Sequence, residues 1–187
     1  VFLFIFSCAD HQSYADRVLN ADSENESWLL HGRTYDESRF SPLKDINDSN
    51  VHELGLSWSF ETGTNRGHET TPIVVDGMMF ITAPWSVVFA LDAKTGKEIW
   101  SFDPKADKAW ARNACCDVVN RGVAVWENSL VFATIDGRLI SLNKESGTVN
   151  WDVLTIDKSK PYTITGAPRI IDGKIIIGNG GGEFGVR

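Results

Sequence analysis

Positive charge is in short supply in this chain: 18 Lys and Arg stand against 25 Asp and Glu, for a net charge of −7 and a pI near 5.0. A nucleic-acid partner needs a basic groove, so that class of function is excluded. No apolar run reaches the ~20 residues of a membrane span, and the leading one, Val1-Phe2-Leu3-Phe4-Ile5-Phe6, is far shorter. The glycine-rich stretch from Gly178 to Gly185 lacks the Gly-Lys-Ser/Thr that completes a P-loop, and its spacing is not the dinucleotide fingerprint. Cysteine is scarce as well, with 3 in 187 residues, yet two of them are neighbours.

That pair sits in Asn113-Ala114-Cys115-Cys116-Asp117-Val118-Val119-Asn120-Arg121-Gly122. Adjacent Cα atoms lie about 3.8 Å apart, short of the usual disulfide span of roughly 4.4–6.8 Å. Bonded, Cys115 and Cys116 would make a small rigid ring suited to carrying a flat ligand. Unbonded, they are two small hydrophobes that happen to be adjacent.

The run Val1–Phe6 fits the tail of a secretory signal peptide. Ser7-Cys8-Ala9 and Ser13-Tyr14-Ala15 both offer small residues for cleavage. The second is preferred, making residues 1–15 a leader remnant and Asp16 the mature start. Lipidation of Cys8 is disfavoured by bulky Phe6, and a buried first strand is the remaining alternative. Export implies the periplasm, an oxidising compartment where a Cys115–Cys116 bond would persist.

From Val51 onward the chain becomes short β-branched and aromatic runs separated by turns. Thr71–Ile81, with Asp76-Gly77 as a tight turn, leads through Val87–Asp92 to Thr95-Gly96-Lys97-Glu98-Ile99-Trp100. A second copy runs from Gly122 to Trp151, with Leu91 and Leu142, Gly96 and Gly147, and Trp100 and Trp151 each 51 positions apart. A third opens at Ala167-Pro168-Arg169 and the chain stops inside it. Four short strands per repeat with a tryptophan at a fixed place predict a β-propeller, an all-β fold of which about three blades are present. Trp100 and Trp151, and Trp58 one unit earlier, are expected to wedge between blades.

The repeat ending Ala90-Leu91-Asp92-Ala93-Lys94-Thr95-Gly96-Lys97-Glu98-Ile99-Trp100 resembles that of quinoprotein dehydrogenases, which use pyrroloquinoline quinone (PQQ). With Cys115-Cys116-Asp117-Val118-Val119-Asn120-Arg121-Gly122 beside it, the likeness narrows to the soluble periplasmic quinoprotein alcohol dehydrogenases. Trp28, His31-Gly32-Arg33 and Arg39-Phe40-Ser41-Pro42-Leu43 look like that family's start. Thr163-Ile164-Thr165-Gly166-Ala167-Pro168 and Gly178–Arg187 look like its next signatures. The resemblance implies an eight-bladed propeller, of which residues 16–187 would be the amino-terminal part.

It also implies a site. Cys115 and Cys116, as a vicinal disulfide, would stack on one face of PQQ. Arg121 would pair a cofactor carboxylate, for which its planar fork is suited; the plainer alternative is a surface ion pair. Glu69 would touch the cofactor in its plane, and Thr165 would donate its hydroxyl. Gly181 and Gly182 would let backbone approach the ring, with alanine tolerated at 182. Glu183 would ligate Ca²⁺, a hard cation that takes carboxylate oxygens, although a lanthanide is not excluded.

The rest of the machinery is expected beyond Arg187: the catalytic Asp, an Asn metal ligand, a Lys or Arg on the quinone and a stacking Trp. A carboxy-terminal haem c domain is also possible there. The implied reaction is two-electron oxidation of an alcohol to an aldehyde, with a cytochrome c as electron acceptor, and this stretch alone is expected to be inactive. A non-catalytic scaffold of outer-membrane assembly would share the tryptophan repeats but has no use for Cys115-Cys116, Arg121 or Glu183. The short turn in Trp126–Leu130, with Thr165–Pro168, favours the broader alcohol dehydrogenases over methanol dehydrogenases.

Overall fold

The computed structural model describes residues 13–186. Ten strands form three antiparallel sheets. The first holds β1 (Ile73–Val75), β2 (Met78–Ala83), β3 (Val87–Asp92) and β4 (Glu98–Phe102) in sequential order. The second repeats it with β5 (Ala124–Trp126), β6 (Ser129–Ala133), β7 (Arg138–Asn143) and β8 (Val149–Leu154). The third is a hairpin of β9 (Arg169–Ile171) and β10 (Lys174–Ile176). These are two complete blades and the opening of a third, as the repeat predicts.

Local chemistry sets the turns. Asp76-Gly77 and Asp172-Gly173 both have positive φ at the two central residues, the geometry that matches strand twist in a two-residue hairpin. After β3, Asp92 Oδ1 accepts hydrogen bonds from the Lys94 and Thr95 amides and the Thr95 hydroxyl. Asn143 does the same one repeat later for Glu145 and Ser146. Even the β-bulge recurs, between Ala90 and Leu91 and between Ser141 and Leu142.

The turns present glycine to tryptophan. A Cβ on Gly147 (φ 70°) would meet the Trp100 ring at 2.8 Å, and one on Gly96 (φ 71°) would meet the Trp58 ring closer still. Each tryptophan therefore seats on the glycine of the following blade, and the Trp100 indole N–H also donates to Lys144 O at 3.0 Å. Between the first two sheets lie Ile73, Val75, Phe80 and Val88 against Val125, Leu130, Phe132 and Ile140, all fully buried. The other face of the second sheet covers Ile164 and Ile170. Trp151 stands on β8 at 37% exposure.

The segment before β1 contains a short helix, α1 (Tyr14–Leu19), capped by Ser13. Tyr14 is buried: its ring meets Trp126 at 5.7 Å and its hydroxyl donates to Leu29 O at 3.1 Å. Arg17 pairs with Glu24 at 2.8 Å and with Asp76 at 3.1 Å, and Asp76 also takes Lys144 at 2.7 Å. The helix thus ties the β1–β2 turn to the turn after β7. The expected boundary between Ala15 and Asp16 falls inside it, while the run Val1–Phe6 lies outside the described residues.

Two predictions follow from this clamp. Tyr14→Phe, which loses one hydrogen bond, should destabilise the full-length protein by about 1 kcal/mol, and Tyr14→Ala by about 3–5 kcal/mol, read by denaturant unfolding. The Arg17 hydrogen bond holds the Glu24 carboxyl below its ordinary range. Burial works to raise Asp76, but the Lys144 bond and the Lys144 and Arg17 charges outweigh it and hold it low as well. Folded values below unfolded ones add stability that is present above the ordinary carboxylate pKa and lost as pH falls through the folded values. Thermal unfolding should therefore shift down as pH drops below about 4, and less steeply in Arg17→Ala.

Candidate functional site

In an antiparallel meander the start of the first strand, the second connection and the exit of the last strand share one end. That end gathers the segment before β1 (Glu69), the β2–β3 corner (Pro84–Ser86), the β4–β5 loop (Cys115 to Arg121), the segment before β9 (Thr165) and the segment after β10 (Glu183). Backbone hydrogen bonds step across them. Thr71 N donates to Arg121 O at 3.2 Å, Arg121 N to Thr165 O at 2.9 Å, and Gly180 N to Thr163 O at 2.6 Å.

Arg121 is the hub. Its Nη2 pairs with Glu69 Oε2 at 2.6 Å, and its Nη1 donates to Thr165 Oγ1 at 2.6 Å. Three of the residues singled out from sequence therefore form one contact set. Arg121 and Glu69 keep 43% and 41% of their side-chain surface exposed, so the guanidinium, with five N–H donors, has some left for a ligand. Beneath it, buried Asn120 fixes the backbone: its Nδ2 donates to Ala133 O at 2.8 Å and its Oδ1 accepts from Gly122 N at 3.0 Å. Gly122 (φ 125°) passes so close to the first blade that a Cβ would lie 3.0 Å from Thr71 O.

Cys115 and Cys116 are exposed, adjacent thiols with Sγ atoms 2.7 Å apart. The expected disulfide is not formed in this structure. The plainer reading, two small hydrophobes that happen to be adjacent, does not place them in the core either, because both residues are exposed. The Cys115 thiol is pushed up to about 11, first by its hydrogen bond with Cys116 and then by desolvation, with the neighbouring Glu183 carboxylate adding to both. Glu183 itself is exposed, and among the described residues no group of three or more His, Cys, Asp and Glu could hold a metal ion.

The two glycines expected to approach a cofactor differ. Gly181 is buried at φ 123°, and a Cβ there would strike Val186 and lie 3.0 Å from Pro161 O. The turn itself demands glycine at 181. A Cβ on Gly182 meets nothing within 4 Å, in keeping with the expectation that alanine is tolerated there.

Sequence reasoning passed over three residues on this rim. Arg66 forms an ion pair with Asp117, and its guanidinium lies 5.8 Å from the Trp85 ring centroid. Trp85 N donates to Val118 O at 2.9 Å. Arg66 stands three positions before Glu69 and Asp117 four before Arg121, so two segments carrying opposed charges in reversed order were a signal available in the chain.

The family model of the β-propeller domain of PQQ-dependent glucose, ethanol and alcohol dehydrogenases matches residues 28–183. The chain therefore belongs to this family of PQQ-dependent dehydrogenases. It is 54% identical over 172 residues to quinohemoprotein alcohol dehydrogenase ADH-IIG of Pseudomonas putida, covering 91% of this chain and 24% of that protein. It is 54% identical over 161 residues to the 1-butanol dehydrogenase (cytochrome c) of Thauera butanivorans, covering 86% and 23%. The solved quinohemoprotein alcohol dehydrogenase ADHIIG from Pseudomonas putida HK5 superposes with a TM-score of 0.90 at 51% identity, over 94% of this chain and 26% of that one. A europium-containing methanol dehydrogenase superposes at 0.86 and 38% identity, over 92% and 30%. The chain spans about a quarter of the length of the curated relatives it matches.

The two glycines give a direct contrast. Gly181→Ala, forced into a left-handed conformation against Val186, should cost about 2 kcal/mol or more, and Gly182→Ala less than about 0.5 kcal/mol, both by denaturant unfolding of the full-length protein.

Proposed function

We propose that the full-length protein is a periplasmic dehydrogenase that oxidises primary alcohols to aldehydes with PQQ and Ca²⁺ and passes the electrons to a cytochrome c. The observation that carries this reading is Arg121, held by Glu69 and Thr165 with its guanidinium half exposed on the rim that also bears Cys115, Cys116 and Glu183. That donor set fits a flat polycarboxylate: a cation with spare N–H groups, a hydroxyl beside it, two exposed sulfurs as an apolar shelf, and a carboxylate free for a hard metal.

Bound there, PQQ would supply the two-electron redox chemistry, polarised by the metal. The work of this chain is to hold it. Arg121 would neutralise a carboxylate, Thr165 would donate its hydroxyl proton to a cofactor oxygen while its lone pair stays on Arg121, and Glu69 would hold the guanidinium in place. Glu183 offers its carboxylate to Ca²⁺, with the remaining ligands and the general base supplied from elsewhere in the full-length protein. Export would let Cys115 and Cys116 give up two protons and two electrons to the compartment's thiol oxidants and close as a disulfide. Burial of Tyr14 favours leader removal upstream of Ser13 over cleavage after Ala15. The cytochrome c in the name of the Thauera butanivorans relative supports the acceptor, and the quinohemoprotein names support a haem c domain elsewhere in the protein. A lanthanide in place of Ca²⁺ is the second reading, favoured by the likeness to the europium-containing enzyme.

The test is dye-linked oxidation of ethanol or 1-butanol by the full-length protein purified without cofactor. Turnover should need PQQ and Ca²⁺ together, and Glu183→Ala should lower it by about 100-fold or more. A protein that turns over no alcohol under any of these additions contradicts the proposal. Intact mass of the exported protein should place its first residue at or before Ser13; a start at Asp16 contradicts the cleavage reading.

A further inference from the structure

One short segment, residues 66–69, grips the stretch just after Cys115-Cys116 at two points, with charges reversed between them. Ahead of the pair's exit, Glu69 takes Arg121 at 2.6 Å. Three positions earlier on the same strand-like segment, Arg66 takes Asp117, the residue immediately after Cys116. The segment 66–69 is therefore a clasp on the stretch 117–121 that follows the cysteines.

The Arg66 end has a backing plate. Its guanidinium lies 5.8 Å from the Trp85 ring centroid, within cation–π range, and Lys108 Nζ lies 5.9 Å from the same centroid. The ring packs against the buried cluster of Ala106, Val118 and Ile135, against which Ala111 and Ala114 also pack, so one small core joins the corner to both sides of the Cys115-Cys116-Asp117 tip. The Trp85 amide closes the figure by donating to Val118 O at 2.9 Å. This corner is strained. Trp85 and Ser86 are non-glycine residues at φ 66° and 61°, and the buried Ser86 Oγ has no hydrogen-bond partner. Such conformations persist only where the surroundings enforce them and collect where strain serves a site. Asp117, at φ 71°, is of a residue type that tolerates the left-handed region. The strained Trp85-Ser86 corner is thus joined to the loop by a chain of contacts: Arg66 on Asp117, Arg66 on Trp85, Trp85 on Val118.

We infer that Arg66, Trp85 and Asp117 are positioning residues whose task is to hold the exposed Cys115-Cys116 tip at fixed height and tilt. This rests on the reading that the pair forms the floor for PQQ, and it assigns to the rigidity of that floor three residues that touch no cofactor themselves.

The experiment is a cycle in the full-length protein: Arg66→Ala, Asp117→Asn, the double variant, and Arg66→Lys. Two quantities are read. One is amide hydrogen exchange of residues 114–118 in cofactor-free protein, and the other is the Kd for PQQ by equilibrium dialysis. Each single variant should speed exchange at 114–118 by about fivefold and raise the Kd by a similar factor, as expected for losing one partly exposed ion pair with its ring contact. The double variant should do no more than either single one, Arg66→Lys should recover part of the loss, and exchange in β5 to β7 should stay at wild-type rates. Unchanged exchange at 114–118 in Arg66→Ala, or effects that multiply in the double variant, overturns the clasp. Faster exchange with an unaltered Kd overturns its service to the cofactor. A wild-type protein that binds no PQQ overturns the cofactor reading, and the exchange arm still decides the clasp.

Discussion

Remove the seat that Gly147 offers to Trp100 and the two sheets lose their spacing. The ring can lie across that turn only because no side chain is there, and the turn can adopt φ 70° without penalty only because it is glycine. One residue type satisfies both demands, and the indole N–H then bonds the next blade's backbone at Lys144. Trp58 on Gly96 repeats the device. The interlock sets the distance at which Phe80, Phe132 and their neighbours fill the gap between blades, the apolar burial that gives the fold most of its stability.

The rim inherits that spacing. Side chains from three successive blades meet at Arg121 within 2.6 Å contacts, which requires each blade to be placed to a fraction of an ångström relative to the last. The backbone bonds from Thr71 to Arg121 and from Arg121 to Thr165 carry the same register inward. A site assembled this way gains rigidity from elements that never touch a ligand, and binding then costs less ordering.

The propeller was legible in the sequence because its determinants are local and repeated: Asp-Gly turns, β-branched runs, and glycine and tryptophan at a 51-residue period. Cys115, Arg121, Thr165, Glu69 and Glu183 could be chosen through family resemblance, and the structure brings them to one rim. Their contacts were not legible. That Glu69 and Thr165 both hold Arg121 depends on three segments meeting from about 50 positions apart, which no spacing rule encodes. Gly181 was read as making room for a ligand, whereas its φ of 123° and the contact with Val186 give it a reason internal to the turn. Tyr14 escaped notice for a different reason: it lies where a leader was expected to end, and only burial against Trp126 and Leu29 reveals it as core. The Trp85 corner was invisible because nothing in Pro84-Trp85-Ser86 announces a left-handed backbone; the enforcing contact with Val118 lies 33 positions away.

The central claim is that this rim is a PQQ platform organised by Arg121. The most direct measurement is a crystal structure of the full-length protein grown with PQQ and Ca²⁺. The account predicts the cofactor lying over the sulfurs of Cys115 and Cys116, one of its carboxylates on Arg121, and the metal on Glu183. PQQ bound elsewhere, or Arg121 satisfied by Glu69 and Thr165 alone while the cofactor is present, would contradict it.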